Sequence, residues 1–206
     1  MNANTRPEAT IDRAVKTGTG VSTHPELDYE SPTARGTRYA AAVLRISLGW
    51  VFLWAFLDKT FALGFGTGRN DETGVVDYLG DAAWINGGSP TEGFLSFGTK
   101  GPFAEFFQGF AGAPWADALF MIGLLGIGAA LILGIGVRIA AVSGATMLVG
   151  MWAASAIWPD NNPFMDDHIV YAIALGLLAF IGAGRTWGLG KVWERIPFVA
   201  RNGWLK

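Results

Sequence analysis

Asp166, Asp167 and His168 stand together immediately before the apolar run Ile169-Val-Tyr-Ala-Ile-Ala-Leu. Ionisable groups at the mouth of an apolar helix are costly to hold near lipid, so they mark a functional site unless they only mark the water boundary. On a helix, Asp167 and Tyr171 are four apart and His168 and Tyr171 three apart, which puts an acid, an imidazole and a phenol on one face. Such a set can donate hydrogen bonds to a quinone's carbonyls and pass protons as the quinone is oxidised or reduced. The plainer alternative is that Asp166 and Asp167 are helix-start carboxylates favoured by the helix dipole and His168 is an interfacial histidine. A second polar pair, Asp58-Lys59, closes an apolar run over 39–57 whose one charge is Arg45.

The rest of the composition narrows the chemistry. With 51% hydrophobic and 16% charged residues, 206 residues are too apolar for an ordinary soluble domain, so a membrane protein surrounded by lipid is expected. A net charge of -2 without a basic run argues against nucleic acid. The absence of cysteine excludes disulfides, dithiol exchange, thiolate-held iron–sulfur clusters and thiolate zinc sites. His24 and His168 are the only histidines, which leaves no pair for bis-histidine haem ligation between membrane helices. No haem, iron–sulfur or metal centre is expected, and any redox centre must belong to a partner subunit.

Four spans can position these groups, over 39–57, 118–137, 139–158 and 168–184, each close to the length that crosses a hydrocarbon core or somewhat short of it. Asn162-Pro163 can start the fourth earlier, as cap and first-turn proline. Arg45 can either snorkel to the nearer headgroups or turn inward to a polar partner. Gly126, Ala130 and Gly134 recur every four residues and offer a close-packing face. Trp115, Trp152 and Trp158 lie near span ends, where the outer two suit an aromatic belt. Eleven of the 15 Lys and Arg fall in the leading segment, at Arg138 and after Gly184, which predicts both termini cytoplasmic and a multi-pass protein of the inner or plasma membrane.

The segment 1–36 has the composition of a disordered cytoplasmic tail. The segment 186–206 interleaves basic residues with tryptophans, as an amphipathic tail on an anionic leaflet would. Residues 58–114 form a connection too long to be structureless, so an extracytoplasmic folded cap is expected. Within it, Phe103, Phe106, Phe107 and Phe110 at helical spacing suit either a short interfacial helix or rings packing the cap onto the bundle. Gly64-Phe-Gly-Thr-Gly can cradle an anion through backbone N–H groups. The fold class is therefore an all-α membrane protein, a four-transmembrane-helix bundle with a long structured loop between the first two helices. At the cap end the bundle brings Asp58, Lys59, Asp117, Asp160, Asp166, Asp167 and His168 to one side.

Arg45-Ile-Ser-Leu-Gly-Trp-Val-Phe-Leu-Trp-Ala-Phe-Leu-Asp-Lys, Leu63-Gly-Phe, Asn162-Pro-Phe-Met-Asp-Asp-His-Ile-Val-Tyr-Ala and Gly182-Ala-Gly-Arg-Thr-Trp-Gly-Leu-Gly together resemble the DoxX/DoxD family of small four-helix membrane proteins, over about 38–193. The resemblance implies kinship with the large membrane subunit of a thiosulfate:quinone oxidoreductase, which passes electrons from thiosulfate to the quinone pool. It makes Arg45, Asp58, Lys59, Asp167 and His168 the matching positions. Against a dianionic substrate, the cap sets Lys59, Arg69 and Lys100 against Asp58, Asp71, Glu72, Asp77, Asp81, Glu92 and Glu105. The expectation is a quinone-interacting redox protein with Asp58, Lys59, Asp167 and His168 at the site, Tyr171 beside them and Arg45 as an inner polar anchor. The alternatives are a non-catalytic subunit that docks partner redox proteins and, with less support, a carrier for a lipid-like molecule. Nothing in the sequence selects an oligomeric state.

Overall fold

The computed structural model describes residues 31–155, 157, 159 and 162–206. The expectations for residues 1–30, including His24, and for Trp158 and Asp160 lie outside the described residues. Among the described residues there are seven α-helices: α1 Pro32–Phe61, α2 Ala104–Gln108, α3 Pro114–Leu133, α4 Val137–Ser155, α5 Asp167–Phe180, α6 Gly190–Trp193 and α7 Pro197–Arg201. Among the described residues there is no β-strand, only an isolated bridge between Arg69 and Val76. Helices α1, α3 and α4 are long and apolar enough to cross a membrane, and α5 is a shorter apolar helix. The described residues thus form an all-helical fold with three helices of membrane-spanning length and composition.

The helix ends follow local chemistry that an apolar-run reading does not see. Helix α1 begins at Pro32 rather than near Tyr39, because a polar, exposed first stretch precedes its apolar part. Helix α3 runs four residues earlier than the apolar stretch 118–137: Pro114 sits in its first turn, and Gly134 ends it in the left-handed region at φ 71°. Gly136, at φ 55°, completes the turn into α4. Helix α5 starts at Asp167, with Asp166 as its N-cap. Asn162 does not cap it; its Oδ1 accepts from the N–H groups of Phe164 and Met165 in a separate turn. The 14 residues of α5 rise about 21 Å, less than the roughly 30 Å of a hydrocarbon core.

Helix α1 packs on α3, α3 on α4, and α4 on α5. Leu48, Phe52, Met121, Leu131, Leu175 and Leu178 are buried in a common core. Helices α1 and α3 come close together at Gly49 and Gly128. A Cβ at Gly49 would lie 2.9 Å from Leu131 and Ile132, and one at Gly128 would lie 2.7 Å from the Leu53 nitrogen. Gly128 thus makes this contact and Gly126 does not, since a Cβ on Gly126 would meet nothing within 4 Å. Leu119, Ile122, Val142, Ile173 and Phe180 stand exposed, an apolar exterior suited to lipid.

Arg45 turns inward and is completely buried. Its Nη1 donates to the carbonyls of Leu131 and Ile132, the latter at 3.0 Å, and its Nη2 to those of Thr186 and Trp187 at 3.2 and 2.9 Å. The last carbonyls of a helix have no intrahelical donors and carry the negative end of its dipole, so a guanidinium suits the C-terminus of α3. The same group fastens the segment after α5 to the bundle. That segment also closes on itself, with Trp193 Nε1 donating to Leu205 O at 2.7 Å, and is tied to α4 by Arg138, whose Nη1 donates to Gly203 O at 2.6 Å. Glu194 accepts from Arg185 Nε at 2.8 Å, and this hydrogen bond, with the carboxylate's charge, raises the Arg185 pKa.

At the opposite end, residues 62–113 fold as a cap containing a 3-10 turn at Trp84–Asn86, a π-helical turn at Phe94–Gly98, and α2. Two buried carboxylates fasten it. Asp58 accepts from the N–H groups of Phe65 and Gly66 at 3.0 and 2.9 Å. Asp117, in the first turn of α3, accepts from Ser89 Oγ at 2.9 Å and from Thr91 N and Oγ1 at 3.1 and 2.6 Å. The glycine-rich turn after α1 therefore does cradle an anion, and that anion is the chain's own Asp58.

Candidate functional site

The antiparallel register of the bundle sets which side chains share a depth. Gly128 lies against Leu53 on α1, Gly123 backs on Met147 of α4, and Gly144 of α4 faces Leu175 of α5. Followed to the cap end, these pairings bring Lys59, Ile122, Met147 and Tyr171 to about the same level. There the four helices and the cap enclose a cleft of about 880 Å³. Its walls are almost wholly apolar, among them Phe52, Leu95, Phe107, Phe110, Phe120 and Met151. Among the described residues its titratable side chains are Lys59, Asp167, His168 and Tyr171.

Each polar group has a distinct place. The Lys59 side chain is half-buried, and among the described residues its ammonium makes no hydrogen bond or ion pair. His168 is 23% exposed, and its Nδ1 pairs with Asp166 Oδ2 at 2.6 Å. Asp166, 14% exposed, uses Oδ1 to accept from Ile169 N at 3.2 Å, so one carboxylate caps α5 and orients the imidazole. This leaves Nε2 of His168 as the ring nitrogen open to a ligand. Asp167 is 70% exposed and stands 3.5 Å from His168 Nδ1. Its charge borders the site but does not fix the ring. Tyr171 lies one turn along α5, partly packed on the core.

Four of the expected site residues, Lys59, Asp167, His168 and Tyr171, thus line one cleft. Asp58 neighbours Lys59 in sequence, but both its oxygens hold the cap. Arg45 lies thirteen residues before Asp58 on α1, about 20 Å along the helix, at the end away from the cap. Asp166 is the residue that the side-chain periodicity passed over in favour of Asp167. Its signal was the acid two places before a histidine at a helix start, where the N-cap's extended backbone folds the carboxylate back over the first turn. The carboxylate and imidazole atoms of Asp166, Asp167 and His168 lie within 4.8 Å of one another, an arrangement that the cap bond and the Asp166–His168 pair account for.

The aromatic run of the cap divides its work. Phe107 and Phe110 line the cleft, while Phe103 and Phe106 are 50% and 62% exposed. Edge-to-face contacts link Phe106 to Phe107 and Phe110, and Phe110 to Trp115 at the start of α3. The helical part is only Ala104–Gln108, so packing against the bundle accounts for two of the rings and outward display for the other two. No protein-family model, curated protein or solved structure matches this chain.

Proposed function

We propose that the chain is a quinone-interacting membrane redox protein of the DoxX/DoxD type, with the head of a lipid-soluble quinone held in the cleft under the cap. The observation that supports this most is the make-up of that cleft: about 880 Å³ of apolar wall bearing Lys59, Asp167, His168 and Tyr171. Small-molecule sites run to about 300–1,000 Å³, mostly apolar with a few placed polar groups. An ammonium that makes no hydrogen bond among the described residues and an imidazole with one nitrogen already engaged fit a ligand that offers carbonyl oxygens.

A bound quinone supplies two-electron, two-proton redox chemistry. Lys59 donates a hydrogen bond to a ring oxygen and offsets negative charge gathered there, in surroundings where apolar walls strengthen the interaction. His168 holds or takes a proton at Nε2, and Asp166 keeps the ring in place and balances an imidazolium. Tyr171 adds a phenolic donor. Asp58 is a positioning residue, since it fixes the loop that follows Lys59. Arg45 fixes the far end of the bundle.

With no cysteine and two histidines in the sequence, the electrons reach the quinone from a donor such as thiosulfate or from a partner redox subunit. The Lys and Arg distribution supports a plasma-membrane topology with the cap outside and α5 as a short fourth span. The same lack of redox ligands favours one alternative, a non-catalytic subunit that docks the proteins carrying them. Mass spectrometry of small molecules extracted from protein purified in mild detergent separates the two. The quinone reading expects near-stoichiometric quinone in wild type and its loss in an Asp167→Asn, His168→Ala double variant. Quinone absent from wild type turns the assignment to the docking subunit.

A further inference from the structure

The cleft continues past its titratable groups. Leu119, Ile122 and Val142 line it and are also 66%, 68% and 65% exposed on the outside of α3 and α4. The cleft therefore opens sideways, through the flank of two helices long and apolar enough to cross a membrane. Small residues border the gap. A Cβ at Gly150 would meet nothing within 4 Å, and Gly123 is backed only by the terminal methyl of Met147, the end of a flexible side chain. The polar residues here are Ser143 and Thr146, and Thr146 Oγ1 donates to Val142 O of its own helix at 2.9 Å. Nothing in this arm of the cleft solvates a charge.

We infer that the gap between α3 and α4 is a subsite for a long isoprenoid tail and the route by which the ligand enters from the bilayer, with Met147 as a movable plug over Gly123. This rests on the reading of the cleft as a quinone site and narrows it to quinones dissolved in the membrane. The occupant follows from three properties of the opening. It is continuous with the chamber that holds Lys59 and His168, its walls are apolar, and it faces lipid rather than water. A volume of about 880 Å³ is also more than a lone quinone ring fills.

The test uses the full chain in detergent and compares the affinities of a polyprenyl quinone and a tail-less quinone bearing the same ring. Gly150→Leu extends into the gap from a position where a Cβ meets nothing within 4 Å, and Ser143→Leu fills it from about two turns away. Gly126→Leu, outside the cleft and equally free of neighbours, is the matched control. Wild type and the control are expected to prefer the tailed quinone by more than about tenfold, and both blocking variants to bring that ratio towards one. Equal affinities in wild type, or a ratio unmoved by both blocking variants, overturn the tail subsite while the quinone site stands. Wild type that binds neither ligand overturns both.

Discussion

Replacing Arg45 with methionine keeps the volume of the side chain and removes its charge and its donors. Four backbone carbonyls then lose their partner: Leu131 and Ile132 at the end of α3, and Thr186 and Trp187 after α5. Hydrogen bonds to a charged group contribute about 1.5–3 kcal/mol, and removing one side of a buried charged network costs about 3–5 kcal/mol. Against a total stability of about 5–15 kcal/mol this is a large share, and for a chain of this size it lowers the melting temperature by about 6–20 °C. Arg45→Lys recovers only part, because an ammonium lacks the fork that reaches two segments at once. Thermal unfolding in detergent, with limited proteolysis of residues 186–206, reads both effects. A methionine variant that melts within about 2 °C of wild type and keeps its C-terminal segment protected refutes the staple. Full stability with loss of bound ligand would instead put Arg45 in the binding site.

Other substitutions probe the remaining joints. Gly128→Val forces α1 and α3 apart, where a Cβ would lie 2.7 Å from Leu53 N, and costs about 1–3 kcal/mol or more in thermal unfolding. Asp117→Ala leaves Ser89 and Thr91 without their acceptor and costs about 1–3 kcal/mol, read as faster hydrogen exchange over residues 89–99. Asp58→Ala does the same for residues 64–68, through the freed N–H groups of Phe65 and Gly66. Asp166→Asn keeps an N-cap acceptor, so the melting temperature stays within about 2 °C, but quinone affinity measured by titration falls about tenfold as the imidazole loses its charged partner.

How far the sequence alone reached differs from one group to the next. The long apolar runs were legible as membrane-length helices because hydropathy needs no tertiary information. Their ends were not, since Pro32 and Pro114 start helices within or ahead of polar residues and Gly134 stops one inside an apolar run. Arg45 left two outcomes open, because the carbonyls that receive it belong to residues far away in sequence. Helical spacing put His168 and Tyr171 on one face, and both line the cleft, yet it favoured Asp167 over Asp166, whose side chain reaches the imidazole only through the extended backbone of an N-cap. Asp58 read as chemistry beside Lys59, while its two oxygens serve the glycine-rich turn. The cleft could not be read at all: it arises where four helices and the cap fail to fill the space between them.

The most direct test of the central claim is photolabelling of the purified protein with a photoreactive quinone, followed by peptide mapping. Labels on the cap end of α1 around Lys59 and on α5 between His168 and Tyr171, suppressed by excess unmodified quinone, are the predicted result. Labelling confined to the exterior of the helices, or unaffected by competitor, would contradict a quinone site under the cap.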